Sequence, residues 1–182
     1  MKFKVSADPF GFVETIREKQ RAVASASVAA LREVASDAVE EGRDNIAGSG
    51  SFGPSWQEGL RRRIVGAQSG GEPSLQARAI IFHKSGLAGV FEHGATIEGK
   101  PLLWIPTEQG GPPASRSGKK LVSATVRGQP VLFDANDHDR HRKPLYIGVP
   151  SVRIPKKWRI TEIVKEHAAG IGELFLRHFK DK

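Results

Sequence analysis

A long helix, a run of short strands and a closing amphipathic helix predict an α+β fold, with the helices packed on a mostly antiparallel β-sheet. Three observations carry this expectation. Apolar residues keep helical spacing from Pro9 to about Ile46, with Gly11 the only glycine before Gly42. Between about residues 60 and 155, short apolar segments alternate with clusters of Gly, Pro and Asp. From Thr161 to about residue 180 the helical period returns. The chain therefore reads as one domain, 1–182, in which 109–120 is a flexible basic loop.

The elements follow in order. Asp8 is suited to cap the first helix, and Pro9 suits its first turn, where a missing N–H costs nothing. Phe12, Val13, Ile16, Val23, Ala30, Leu31, Val34, Ala38 and Val39 mark its apolar face. A helix of ~35 residues is ~50 Å long. Such a length needs support from a sheet, another helix or a neighbouring subunit, and the alanines at 22, 24, 26, 29 and 30 allow close approach of another backbone. Heptads of the coiled-coil kind are not sustained. GSGSFGPS, residues 48–55, links the helix to Trp56, Leu60 and a first strand through Ile64 and Val65. ARAIIFH (77–83) reads as a strand with Ile80 and Phe82 on one face and Ile81 on the other. LAGVFEHGATIEGKPLLWIPT (87–107) reads as a hairpin of two strands, Leu87 to Glu92 and Leu102 to Ile105, with a polar crest from Glu92 to Lys100. Val122 to Val126 and Pro130 to Phe133 form a second hairpin about Arg127-Gly128. Leu145 to Val149 and Val152 to Ile154 close the strands, and Thr161 caps the last helix.

Composition narrows the class. With 38% hydrophobic and 26% charged residues the sequence is that of a soluble protein. No apolar run approaches the ~18 residues of a membrane span, and the first residues carry no secretory h-region. Absence of cysteine removes disulfides and thiolate metal sites. The net charge of +8 favours an anionic neighbour, nucleic acid or an acidic protein. Its clusters are Arg61 to Arg63, Arg116 with Lys119 and Lys120, Arg140 with Arg142 and Lys143, and Arg153 with Lys156, Lys157 and Arg159.

Candidate chemistry is sparse. DANDHDRH (134–141) gathers carboxylates and imidazoles that could hold a divalent metal, as a phosphate-cleaving site would require. Its Asx-rich composition suits an exposed turn better, so neither a metal nor a catalytic site is assigned. Glu92 and His93 are neighbours on an expected strand and would face opposite ways, which prevents joint acid–base action. Phosphate loops, nucleophile elbows and dinucleotide fingerprints are missing from the sequence, as are helix-turn-helix, zinc-finger and RNA-recognition signatures. No cofactor is expected, and the chain reads as a non-enzyme.

Several of these segments together carry a resemblance. The long helix ending near Asn45-Ile46, ARAIIFH, AGVFEHGATI with LLWIPT, and PLYIGVPSVRIPKKW before a terminal helix resemble bacteriophage and prophage head–tail joining, neck and tail-completion proteins. Ala95 stands before Thr96 where many members have Glu-x-Gly-Thr, and the Gln109–Lys120 insert departs from the shorter members. The resemblance implies a structural virion protein: a homo-oligomeric ring, commonly a hexamer, at the neck or tail end. Its partners would be itself, the tail-tube protein and head-completion or connector proteins, with non-specific contact to passing DNA and none with membrane. Its place would be the virion, and the host cytoplasm during assembly. The interface would use Glu92, His93 and Thr96 on the crest and Arg116, Lys119, Lys120, Arg140, Arg142 and Lys143 on the basic loops. The alternatives are a basic DNA-binding accessory protein without sequence readout and a metal-dependent hydrolase built on Asp137 and His138.

Overall fold

A computed structural model describes residues 9–50, 52–69, 72–139 and 142–180. The fold is α+β, as the sequence predicts, and its sheets are antiparallel. The chain forms two compact units: residues 1–92 with 157–182, and residues 93–156 inserted between them in sequence.

In the first unit, helix α1 (Pro9–Gly48) spans 40 residues, or ~60 Å at 1.5 Å per residue. Asp8, its expected cap, lies outside the described residues. Short α2 (Pro54–Gln57) leads into β1 (Leu60–Val65), which pairs with β4 (Arg78–His83). Two-residue strands β2 (Gln68–Ser69) and β3 (Glu72–Pro73) form a small pair of their own. α1 packs on β1 and β4 and on the C-terminal helices. Its alanines do what their size permits, Ala26, Ala30, Ala35 and Ala38 being fully buried. Gly42 serves the same purpose, because a Cβ there would stand 2.5 Å from Leu60 Cδ2 and 3.3 Å from Ile160 Cδ1.

The C-terminal helix expected over about 161–180 is two helices, α4 (Ile160–Ala169) and α5 (Ile171–Lys180). Gly170 breaks the run, and its carbonyl accepts the N–H groups of Glu173 and Leu174 to restart it. Thr161 is not the cap. Arg159 holds that position with no side-chain capping bond of its own, while its N–H donates to Asn45 Oδ1 at 3.0 Å. Two carboxylates of α1 tie these helices down. Glu41 accepts from His167 Nε2 at 2.9 Å and Arg159 at 3.2 Å, and Glu33 accepts from His178 Nε2 at 2.7 Å and Arg177 at 3.2 Å.

The second unit is a four-stranded sheet in the order β5 (Ala95–Pro106), β8 (Tyr146–Ile154), β7 (Gln129–Asp134), β6 (Leu121–Val126). The strand expected over Leu87–Glu92 is instead a helix, α3 (Ala88–His93), so no hairpin joins it to LLWIPT. β5 runs from Ala95 as one long strand, bulged between Glu98 and Leu103, and pairs with β8. The two expected strands around Pro150 are one strand. Beyond the β7 pairings at Tyr146 and Ile147, β8 has β5 as its partner, and the β5 bulge falls opposite Pro150. The β6–β7 hairpin is as expected. Arg127 and Gly128 both have positive φ, 50° and 82°, the pattern of a tight two-residue turn matched to strand twist.

Loop 109–120 is anchored at two points. It contains a 3-10 turn, Ala114–Arg116. Buried Tyr146 places its hydroxyl 2.7 Å from Gly110 O and 2.6 Å from Pro112 O, donating to one at a time. Ala114 packs on the small core of Leu132, Leu145 and Tyr146.

The Glu41 tie generates a pH prediction. The hydrogen bond from His167, then that from Arg159, holds the Glu41 carboxyl below the ordinary glutamate range against partial desolvation. A depressed pKa contributes stability above the unfolded-state value and loses it as pH falls through the folded value. Wild type should therefore exceed Glu41→Gln in denaturant midpoint at neutral pH, with the gap closing below about pH 4. A gap constant across an acid titration would contradict this tie.

Candidate functional site

The residue that heads the expected crest is committed elsewhere. α3 starts where Ser85 accepts the N–H groups of Leu87 at Oγ (3.3 Å) and Ala88 at its carbonyl (3.2 Å). One and a half turns later Glu92 is 8% exposed, and its two oxygens accept the N–H groups of Ile160 (2.9 Å) and Thr161 (2.8 Å). First-turn amides have no partner inside a helix, and a carboxylate at that end also suits the helix dipole. Glu92 is thus a cap supplied from distant sequence for α4.

Beside it sits an aromatic cluster. Phe52, Trp56, Phe91 and Trp158 meet one another with ring centroids 4.9–5.7 Å apart, several in edge-to-face geometry. Each such pair contributes about 0.5–1.5 kcal/mol beyond area burial. Trp158 is 2% exposed, and its Nε1 has no hydrogen-bond partner. An unsatisfied buried donor costs about 1–3 kcal/mol, which the ring contacts offset. His83 stacks on Trp56 at 5.5 Å. Its Nδ1 accepts the Ser85 N–H at 3.0 Å, so Nε2 carries the proton and donates to Trp56 O at 2.8 Å. Both nitrogens are thereby used in structure.

The other expected interface residues divide. His93, at the end of α3, and Thr96, on β5 opposite Arg153, are exposed. Arg116, Lys119, Lys120, Arg142 and Lys143 lie on the loops flanking the Leu121–Asp134 end of the β6–β7 hairpin, so topology gathers them although sequence separates them. Two are tethered. Lys119 Nζ is 3.3 Å from Asp134 Oδ2, and Arg142 lies 4.7 Å over the Phe133 ring while donating to Asp137 O at 2.9 Å. Arg140 and His141 lie outside the described residues. Asp134 and Asp137 close turns by accepting the N–H groups of Asn136 and Asp139, each at 3.0 Å. The Asn136 N–H, then Lys119, holds the Asp134 carboxyl below its ordinary range. Among the described residues no group of three or more His, Asp or Glu side chains is placed to hold a metal.

The feature not singled out from sequence is the start of α1. Residues 10–21 are all exposed, and among the described residues buried positions of α1 begin at Ala24. Phe12 is 68% exposed, Val13 47% and Ile16 43%. Arg21 makes a surface ion pair with Glu72 at the arm's base. A sequence signal existed: bulky apolar residues crowd the start of the helix, whereas its packed middle is alanine-rich.

Residues 1–133 match the profile of DUF6441, a family of unknown function. The chain belongs to DUF6441. No curated protein and no solved structure matches it. The DUF6441 match takes in the arm, the β1–β4 pair, Phe52, Trp56, Phe91 and Glu92, and it runs as far as β7.

Removing the Glu92 cap tests its role in this DUF6441 chain. Glu92→Ala should lower stability by about 2 kcal/mol, the scale of a lost cap or charged hydrogen bonds. Followed by tryptophan fluorescence, that is a fall in melting temperature of about 4–8 °C. Glu92→Gln, which keeps one acceptor, should fall between the two. A melting temperature unchanged in Glu92→Ala would contradict the assignment.

Proposed function

We propose that the protein is a structural assembly component of a tailed phage or phage-like particle. It forms a homo-oligomeric ring, hexameric by the resemblance, at the head–tail neck or tail end, as a tail-completion or terminator protein. The arm of α1 carries this reading. A helical segment of about a dozen residues is marginal in water without packing. Burying Phe, Val or Ile side chains stabilises by about 1.5–3 kcal/mol each, so a second copy laid against Phe12, Val13 and Ile16 supplies burial that the described residues do not.

A closed ring needs two different patches on each subunit. The second is on α5, where Leu176 is 52% and Phe179 37% exposed. Arm against α5 of the next copy is a heterologous contact of helix on helix. Exposed Arg116, Lys120 and Lys143, gathered at one end of the β6–β7 hairpin, suit docking to an acidic tail-tube or connector surface, where charge steers encounter. The resemblance supports the same role, and the reading assigns the chain no catalytic step, cofactor or membrane contact. It places the protein in the virion, and in the host cytoplasm while the particle is built.

Sedimentation velocity and negative-stain images at micromolar concentration test this. Wild type should sediment as a multimer with ring-shaped particles, and Phe12→Glu with Ile16→Glu should sediment as a folded monomer with unchanged helical circular dichroism. A wild type that stays monomeric even with tail-tube protein present, or a double variant that assembles normally, would overturn the proposal.

A further inference from the structure

The β1–β4 pair has two unlike faces. Its inner face carries Leu60, Ile81 and His83 into the aromatic core, and the register puts exposed Arg62 on this same face. On its outer face the register sets Arg61 opposite Phe82, Arg63 opposite Ile80 and Val65 opposite Arg78. Arg61, Arg63 and Arg78 are exposed, and Ile80 and Phe82 are 39% and 41% exposed. Arg61 Nε donates to the Glu58 backbone carbonyl at 3.4 Å. Among the described residues no carboxylate lies within ion-pair distance of any of these three arginines.

From these placements we infer that the outer face of the β1–β4 ribbon binds the sugar–phosphate backbone of duplex nucleic acid without reading its sequence. Side chains two residues apart on a strand share a face and stand about 7 Å apart. Arg61 and Arg63 on β1, with Arg78 at the Val65 level of β4, therefore make a row of positive charge, its Arg61 end bordering a cleft that Glu40, Asp44 and Glu58 also line. A nucleic-acid backbone presents a matching row of anions at regular spacing, whereas a folded acidic protein offers carboxylates mixed with other groups. Guanidinium groups donate in the fork geometry that phosphate oxygens accept. Ile80 and Phe82, beside the row, present apolar surface to the sugars. On this inference the arginines and the apolar pair meet phosphate and sugar, contacts that position a protein but specify no base. This surface shares no residue with the α1 arm, so it can be tested without ring formation.

The test is fluorescence anisotropy of a labelled duplex of arbitrary sequence, titrated across sodium chloride concentrations. Each phosphate contact contributes about 0.9 to the slope of log affinity against log salt. Arg61→Gln with Arg63→Gln and Arg78→Gln should reduce the wild-type slope by about 2.7, while a charge-matched control, Lys157→Gln with Lys165→Gln and Lys180→Gln, reduces it far less. Duplexes of different sequence should give the same values. The assembly-defective Phe12→Glu, Ile16→Glu variant should keep the arginine-dependent part of the slope, which separates failure here from failure of the ring proposal. Circular dichroism confirms folding of each variant. A wild type that binds no duplex at low salt, or a triple-arginine variant with the wild-type slope, would overturn the inference. So would loss on that variant of binding to an acidic peptide but not to DNA.

Discussion

The two points at which the first unit is interrupted, Glu92 and Lys157, are clasped to each other, and that clasp is the constraint on which the rest of this unit depends. The chain leaves at Glu92 and returns at Lys157. At that joint the Phe91 carbonyl accepts the N–H groups of Lys157 (2.7 Å) and Trp158 (3.0 Å), and the Glu92 carboxylate accepts those of Ile160 and Thr161. Four consecutive-region amides that would otherwise need water are satisfied by two residues from distant sequence. The side chains follow the backbone, because Phe91 and Trp158 close the aromatic cluster over Ile46 and Leu60. Within the second unit the first and last strands pair from Ala95 and Ile154, so its ends adjoin as well. With the clasp in place, α4 starts beside Asn45 and Glu41, and its successor α5 reaches Glu33.

Much of this fold is legible in the sequence, and the misreadings have physical causes. α1 was plain because alanine and helical spacing agree over forty residues. The β6–β7 hairpin was plain because Arg127-Gly128 sits between two alternating runs. Leu87 to Glu92 deceived because a short apolar run with Val90 and Phe91 fits a strand as well as a helix, and periodicity cannot decide over six residues. Only the distant α4 amides make a helix there useful, since it turns Glu92 inward. The anchor of loop 109–120 is not legible because Tyr146, which bonds the Gly110 and Pro112 carbonyls, is distant in sequence. The basic clusters can be read from the sequence, but that topology gathers them at one end of the β6–β7 hairpin cannot, and Glu92 lies in the interior because residues 88–93 are helical.

The surfaces left over are of different kinds. The start of α1 exposes Phe12, Val13 and Ile16, which suits a partner that buries them. The outer face of β1–β4 is arginine-rich around Ile80 and Phe82, which suits a polyanion. A protein with both can be built into an assembly and touch nucleic acid within it. The two roles need no shared residue, so each surface can be disabled while the other is kept.

The clasp itself is tested most directly by amide hydrogen exchange on the wild-type protein. Helix-start amides normally lack partners and exchange fast. Here Lys157, Trp158, Ile160 and Thr161 should be protected to nearly the degree of buried Ile163 within α4. Exchange of these four amides near the rate of an unstructured chain, with Ile163 still protected, would contradict the account.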